Sequence, residues 1–200
     1  VRRLTTVLAT ALAAVTVLGT APAAHAERAS IKDKRADVVR TTYSADDLEV
    51  REERRLTKTA SRRSGIDATS VRYDHRSKTV SVTVRFARLK SDAGLYAEIY
   101  APGSKKADFE VYGRMGSSVA EVVDPEYDVV CSGDFSSRTG KKGWMRLTVK
   151  RSCLGDLRKV RMAAGAYRTV EDGDAFVVYG DALSAKKVRT PHRTRLLAAG

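Results

Sequence analysis

Few residues in this chain could do covalent chemistry. The 200 residues include three histidines, His25, His75 and His192. A nucleophilic serine or cysteine needs a base within hydrogen-bond reach. His75 falls in an expected hairpin turn, where solvation is the ordinary fate, and His192 falls in a basic tail. No catalytic residue is assigned on this basis. Paired carboxylates could hydrolyse glycosides without histidine. Asp124, Glu126 and Asp128 alternate, as do Asp172 and Asp174. These groups also offer hard oxygen ligands for Ca²⁺, but neither has the spacing of an EF-hand loop. Polar turns between strands account for both groups, so no metal site or cofactor is assigned.

Aromatic residues supply the binding candidates. Tyr96, Tyr100, Tyr112, Trp144, Tyr167 and Tyr179 fall on expected strands, and a row of rings on an exposed face could stack on sugars. Tyr96, Tyr100, Tyr112 and Trp144 are the candidate ligand contacts. Against this, aromatics make up only 6% of the chain, and a core claims most of them. The sequence has no Asn and no Gln, so side-chain amides cannot supplement stacking, and no N-glycosylation acceptor exists.

The first 26 residues read as an address. Val1-Arg2-Arg3 is basic, Leu4 to Ala24 carries no charge, and Ala24-His25-Ala26 is a small-x-small cleavage site. The strongly apolar part, Leu4 to Gly19, falls short of the roughly 20 residues needed to span a bilayer. A secretory signal peptide cleaved after Ala26 is therefore expected, with Val1 read as an alternative start. No membrane anchor is expected to remain. In an oxidising compartment Cys131 and Cys153 are expected to pair, since two cysteines without a histidine pair cannot complete a four-ligand zinc site. The bridge could join neighbouring strands, or two sheets at one end.

The elements that must position these residues read as strands. Thr79 to Leu89 alternates strictly, with Val80, Val82, Val84 and Phe86 on one face. Ser70 to Tyr73 precedes it across a polar turn and completes a hairpin. Further strands are expected at 95–101, 109–114, 119–123, 127–131, 144–150, 160–167 and 175–179, separated by Gly, Pro and Asp turns. The expected fold is all-β, an antiparallel β-sandwich of jelly-roll or Ig-like type with one disulfide. It spans 65–184, between a charged N-terminal arm (27–64) with room for one edge strand and a basic, mobile tail (185–200). Residues 46–58 fit either a short helix or a frayed strand.

Two stretches, VRYDHRSKTVSVTVRFARL and VVCSG…LTVKRSCLG, resemble a group of small secreted actinobacterial proteins. That group's pattern is a V-x-V-x-H hairpin, an alternating strand ending in Leu, a strand ending in Cys, and a strand running into R-x-C-L-G. Val71, His75, Cys131 and Arg151-Ser152-Cys153-Leu154-Gly155 match it, whereas Tyr73 replaces the second Val. The resemblance covers about residues 66 to 165. It implies a disulfide-bearing β-sandwich and transfers no catalytic residue.

Charge completes the expectation. The net charge is +13 and the pI near 10. Residues 27–64 carry 11 basic and 8 acidic side chains, 65–184 carry 19 and 16, and 185–200 carry five basic and none acidic. The excess is thus concentrated in the flanks. The expected function is a secreted, non-catalytic domain that binds anionic cell-wall polymer or carbohydrate through its basic flanks. Nucleic acid is disfavoured, and the oligomeric state is not determined. The alternatives are a carbohydrate-active hydrolase using carboxylates and a purely structural or interaction domain.

Overall fold

Period-two alternation builds most of the molecule, in a computed structural model that describes residues 26–186 and 190–200. The expected signal peptide, Ala26 apart, lies outside the described residues. The chain forms β1 (Glu27–Lys32), β2 (Val39–Ser44), β3 (Val50–Arg55), helix α1 (Lys58–Ser64), β4 (Ala68–His75), β5 (Thr79–Phe86) and β6 (Arg88–Leu89). It continues through β7 (Ala93–Tyr100), β8 (Phe109–Arg114), β9 (Val119–Val123), β10 (Val129–Arg138), β11 (Gly140–Lys141) and β12 (Trp144–Lys150). A 3-10 turn at Arg151–Leu154 leads to β13 (Lys159–Asp172), β14 (Ala175–Asp181) and β15 (Leu197–Ala198).

Twelve strands form one antiparallel sheet in the order β1-β4-β5-β12-β10-β9-β8-β7-β13-β14-β2-β3, and β15 adds to β13. The sheet folds over itself, so that β12 packs across the core against β7 and β8, and β4 against β13. The result is sandwich-like and all-β, without closure into a barrel. Val82, Val84 and Phe86 of β5, Met145 and Leu147 of β12, Leu95 and Ile99 of β7, and Met162 of β13 meet in the core. The inward set of β5 is the one its alternation dictates, because successive side chains point to opposite faces. Among the described residues, no helix is long and apolar enough to cross a membrane.

The flanks are more ordered than their composition suggests. Residues 27–64 hold three strands and a helix, where one edge strand was expected. The segment 46–58 resolves as strand β3 followed by the start of α1. β1 and β3 form the two ends of the sheet. The exposed charges of β3 (VREERR) suit an edge, because they discourage pairing with another chain. Thr57 caps α1 by accepting from the Ala60 N–H at 3.3 Å, and Gly65 ends it at φ +87°, a left-handed conformation natural to glycine. A Cβ at Gly65 would also strike the Lys90 side chain, which lies across it.

The C-terminal residues correct the expectation of a mobile tail. Thr194 donates its N–H to Met162 O at 2.8 Å, and Leu197 is fully buried beside Val160. Leu197 O lies 2.9 Å from His75 Nδ1, so His75 is buried at the end of β4 rather than solvated in a turn. An apolar residue inside a basic tail has found an uncovered strand end.

Cys131 on β10 and Cys153 in the 3-10 turn after β12 form the disulfide, with Cα atoms 5.6 Å apart. Since β10 and β12 are neighbours, the bridge ties β10 to the turn that leaves its adjacent strand. On the chain-entropy account, closing a loop of this length is worth about 3 kcal/mol. Replacing both cysteines by serine is therefore expected to lower the free energy of unfolding by about that much, measured by urea denaturation. Unchanged stability would show that the unfolded chain is not appreciably restrained by the bridge.

Candidate functional site

The structure gathers some of the aromatic candidates and separates others. Tyr96 on β7 and Tyr112 on β8 are cross-strand partners whose ring centroids lie 6.4 Å apart, stacked at 29°. The Tyr96 ring lies over Gly165 of β13, where a Cβ would come within 2.4 Å of it. Tyr100 is buried, donates its hydroxyl to Glu98, and is covered by the Arg193 guanidinium 3.9 Å from its ring centre. Tyr112 likewise donates to Glu110. Trp144 stands apart at the start of β12, between Arg85 and Arg138. The four residues do not form one row.

The alternating acids lie in turns. Asp124 Oδ1 accepts from the Glu126 and Asp128 N–H groups at 3.1 and 2.9 Å, which folds its own loop. Asp174 pairs with Arg51 at 3.2 Å on the surface. These groups serve local backbone structure and surface pairing.

A different surface brings charge together. Arg62 and Arg63 of α1, Arg88 of β6, Lys90, and Lys141 and Lys142 around β11 line one groove of about 1450 Å³. All six are exposed, and among the described residues none is ion-paired. Arg168 and Asp92 also line the groove and are paired with each other, the guanidinium 2.6 Å from the carboxylate. Leu89 forms a buried part of the floor. β6 and β11 make a two-stranded ladder in which Arg88 stands directly opposite Lys141. Like charges in that position repel, at a cost of a few tenths to about 1 kcal/mol. The groove continues past Arg63 and Lys90 towards Arg40, Arg54 and Tyr179, and past Arg62 towards Lys34 and Arg35. Helix α1 is the hinge of the whole cationic surface. Arg62 and Arg63 also sit favourably in its last turn against the helix dipole, but that placement does not require cations on the facing loops.

Beside the Lys34–Arg35 end of this surface lies a buried acidic cluster that no local spacing of acids marks. Asp33 follows β1, Asp37 precedes β2, Asp67 precedes β4, and Asp181 ends β14; all four are buried. Oxygens of Asp33, Asp37 and Asp181 lie within 4.8 Å of one another. Main-chain donors hold the carboxylates in place. Asp33 Oδ1 accepts from Ser184 N at 2.6 Å, Asp67 Oδ1 from Ala36 N at 2.7 Å, and Asp181 Oδ2 from Ala68 N at 2.8 Å. Ser61 Oγ of α1 adds a donor to Asp67 at 2.9 Å. The cluster thus ties the β1–β2 loop and α1 to the sheet. Burial first, then the charges of Asp37 and Asp67, push the Asp33 carboxyl up to about 7, against the opposing Ser184 N–H. Burial and Asp33 likewise raise Asp181. Asp37 and Asp181 also open onto a pocket of about 250 Å³ floored by Tyr96 and Tyr167. The available signal was an acid inside an apolar run, as at Val177-Val178-Tyr179-Gly180-Asp181-Ala182-Leu183.

A carboxyl whose folded-state pKa is raised stabilises the fold fully below its unfolded value, near 4, and that contribution is lost as pH rises through the folded value. With divalent cations chelated, the urea midpoint is therefore expected to fall between pH 5 and pH 8. Asp33→Asn should flatten that fall; a wild-type profile no steeper than the variant's would contradict the assignment.

Comparison with protein-family models, with curated proteins and with solved structures finds no match to this chain.

Proposed function

We propose that the protein is a secreted, non-catalytic binding module that holds an anionic cell-envelope polymer along the groove beside α1. The observation that carries this reading is the Arg88–Lys141 pair, two like charges fixed face to face in a ladder with four further unpaired cations around them. Such a set is self-repelling until an anion enters, and a cleft lined by one sign of charge raises the local concentration of the opposite one. Phosphate or carboxylate groups on a flexible chain suit it best. Base recognition on single strands relies on aromatic platforms, and the lining here is mainly cationic and polar, with the Asp92–Arg168 pair on it and Tyr179 at one end. A leader-like N-terminus and the Cys131–Cys153 bridge support an extracellular setting. The polymer thus meets the α1 surface, not only basic flanks as charge counting suggested.

Long-chain polyphosphate and a polyuronate are suitable probes, with dextran as the neutral control. Affinity for the charged polymers is expected to fall log-linearly with salt, as counterion release requires. The triple variant Arg62→Glu/Arg88→Glu/Lys142→Glu should weaken binding by roughly tenfold or more at low salt. Arg193→Glu, remote from the groove, should leave it unchanged. Arg88→Glu alone should weaken binding while raising stability by a few tenths of a kcal/mol, because it turns a repulsive cross-strand pair into an attractive one. Equal binding to dextran, or a triple variant that binds like the wild type, would overturn the reading. Deleting residues 185–200 would be a poor test, since it removes β15 and its buried Leu197.

A further inference from the structure

We propose that Asp33, Asp37 and Asp181, backed by Asp67, form a binding site for a divalent cation, Ca²⁺ in preference to Mg²⁺. The site is separate from the polymer-binding groove, and its carboxylates are held by the main chain. Asp33, Asp67 and Asp181 each spend one oxygen on a main-chain N–H, from Ser184, Ala36 and Ala68 respectively. The second oxygen of each, Asp33 Oδ2, Asp67 Oδ2 and Asp181 Oδ1, is buried and accepts no hydrogen bond. Asp67 and Asp181 are each only 2% exposed. A buried carboxylate oxygen without a donor costs free energy comparable to a lost charged hydrogen bond. Asp33 and Asp181 converge with Asp37, and buried oxygens without donors on converging carboxylates point to a shared occupant, with Asp67 behind them through its bond to Ala36 N.

The dimensions suit a hard cation. Ca²⁺ binds oxygen at about 2.3–2.6 Å, so two ligands on opposite sides of one ion stand about 4.6–5.2 Å apart. One oxygen from each of Asp33, Asp37 and Asp181 lies within 4.8 Å of the others, inside that span. Mg²⁺ holds oxygen at about 2.0–2.1 Å and demands near-octahedral geometry with several waters, which a rigid junction of carboxylates satisfies less well. The ligands come from the ends of β1, β14 and the β1–β2 loop, with Asp67 entering β4, so they are fixed by strands. The pocket of about 250 Å³ on the Asp37 and Asp181 side supplies an entry path and room for water ligands. A bound cation would pin the β1–β2 loop, which carries Lys34 and Arg35, against the sheet.

The test uses the full mature chain stripped with a chelator, titrated calorimetrically with CaCl₂ and, separately, MgCl₂, and followed by thermal melting. One Ca²⁺ per chain, bound more tightly than Mg²⁺, and a melting temperature that rises to saturation with Ca²⁺ are expected. Asp33→Asn and Asp181→Asn each keep an oxygen that can accept the same backbone N–H and remove only the charge. Each should weaken Ca²⁺ binding by roughly tenfold or more. Without metal these variants should melt no lower than the wild type, since they relieve repulsion among buried carboxylates. Asp124→Asn, in an exposed turn, should bind Ca²⁺ like the wild type. Absence of heat and of any melting shift with Ca²⁺ would overturn the site and leave a cluster neutralised by protons alone. Wild-type affinity in both Asn variants, or equal weakening in Asp124→Asn, would overturn it as well.

Discussion

Four carboxylates forced together in the interior are the constraint on which the arrangement of the N-terminal third depends. Asp33, Asp37, Asp67 and Asp181 arrive from the ends of separate elements and are buried where those elements meet. Taking them out of water is unfavourable, and their mutual repulsion adds to the cost. The fold offsets part of this with charge-assisted hydrogen bonds from main-chain N–H groups at Ser184, Ala36 and Ala68. Those bonds are long-range in sequence. They fasten the β1–β2 loop to the end of β14 and to the entry of β4, and Ser61 brings α1 into the same junction.

Because α1 is fastened there, its two arginines face the loops that carry Arg88, Lys90, Lys141 and Lys142. The acidic junction and the cationic groove are thus mechanically linked although their charges are opposite. Buried carboxylates fix the scaffold, and exposed cations around it create the field. The pairing of Arg88 with Lys141 is locally unfavourable for the two-stranded ladder. Opposite charges at those two positions would have made a better ladder.

Much of the strand framework was legible in the sequence. β8, β9 and β12 fall where alternation and turn residues put them, and β5 turns the expected valines and Phe86 inward. The extension of β10 through Ser132–Arg138 was not legible, since its residues are mostly polar and exposed and its order comes from pairing with β9 and β12. Helix α1 is too short to show an apolar period, although Thr57 and Gly65 mark its ends. Burial of His75 depends on Leu197, 122 residues away, which no local pattern could supply. Of the candidate site, the cationic chemistry was visible in the composition but was assigned to flexible flanks. The alternating acids that attracted attention serve turns and surface pairs, while the acids that converge are scattered singly along the chain.

The sequence by itself determined the all-β class, most strand positions, the inward faces and the pairing of the two cysteines. Each of these follows from side-chain periodicity or from a count of two thiols, both of which are local or combinatorial. Tertiary structure decided which strands are neighbours, that the bridge ties β10 to the turn after β12, that the tail covers β13, and that four distant aspartates share one junction. It also decided that cations drawn from both the arm and the nearly balanced central region face one groove. Charge is counted along the chain, but its field depends on separation in space, and only the folded sheet sets those separations.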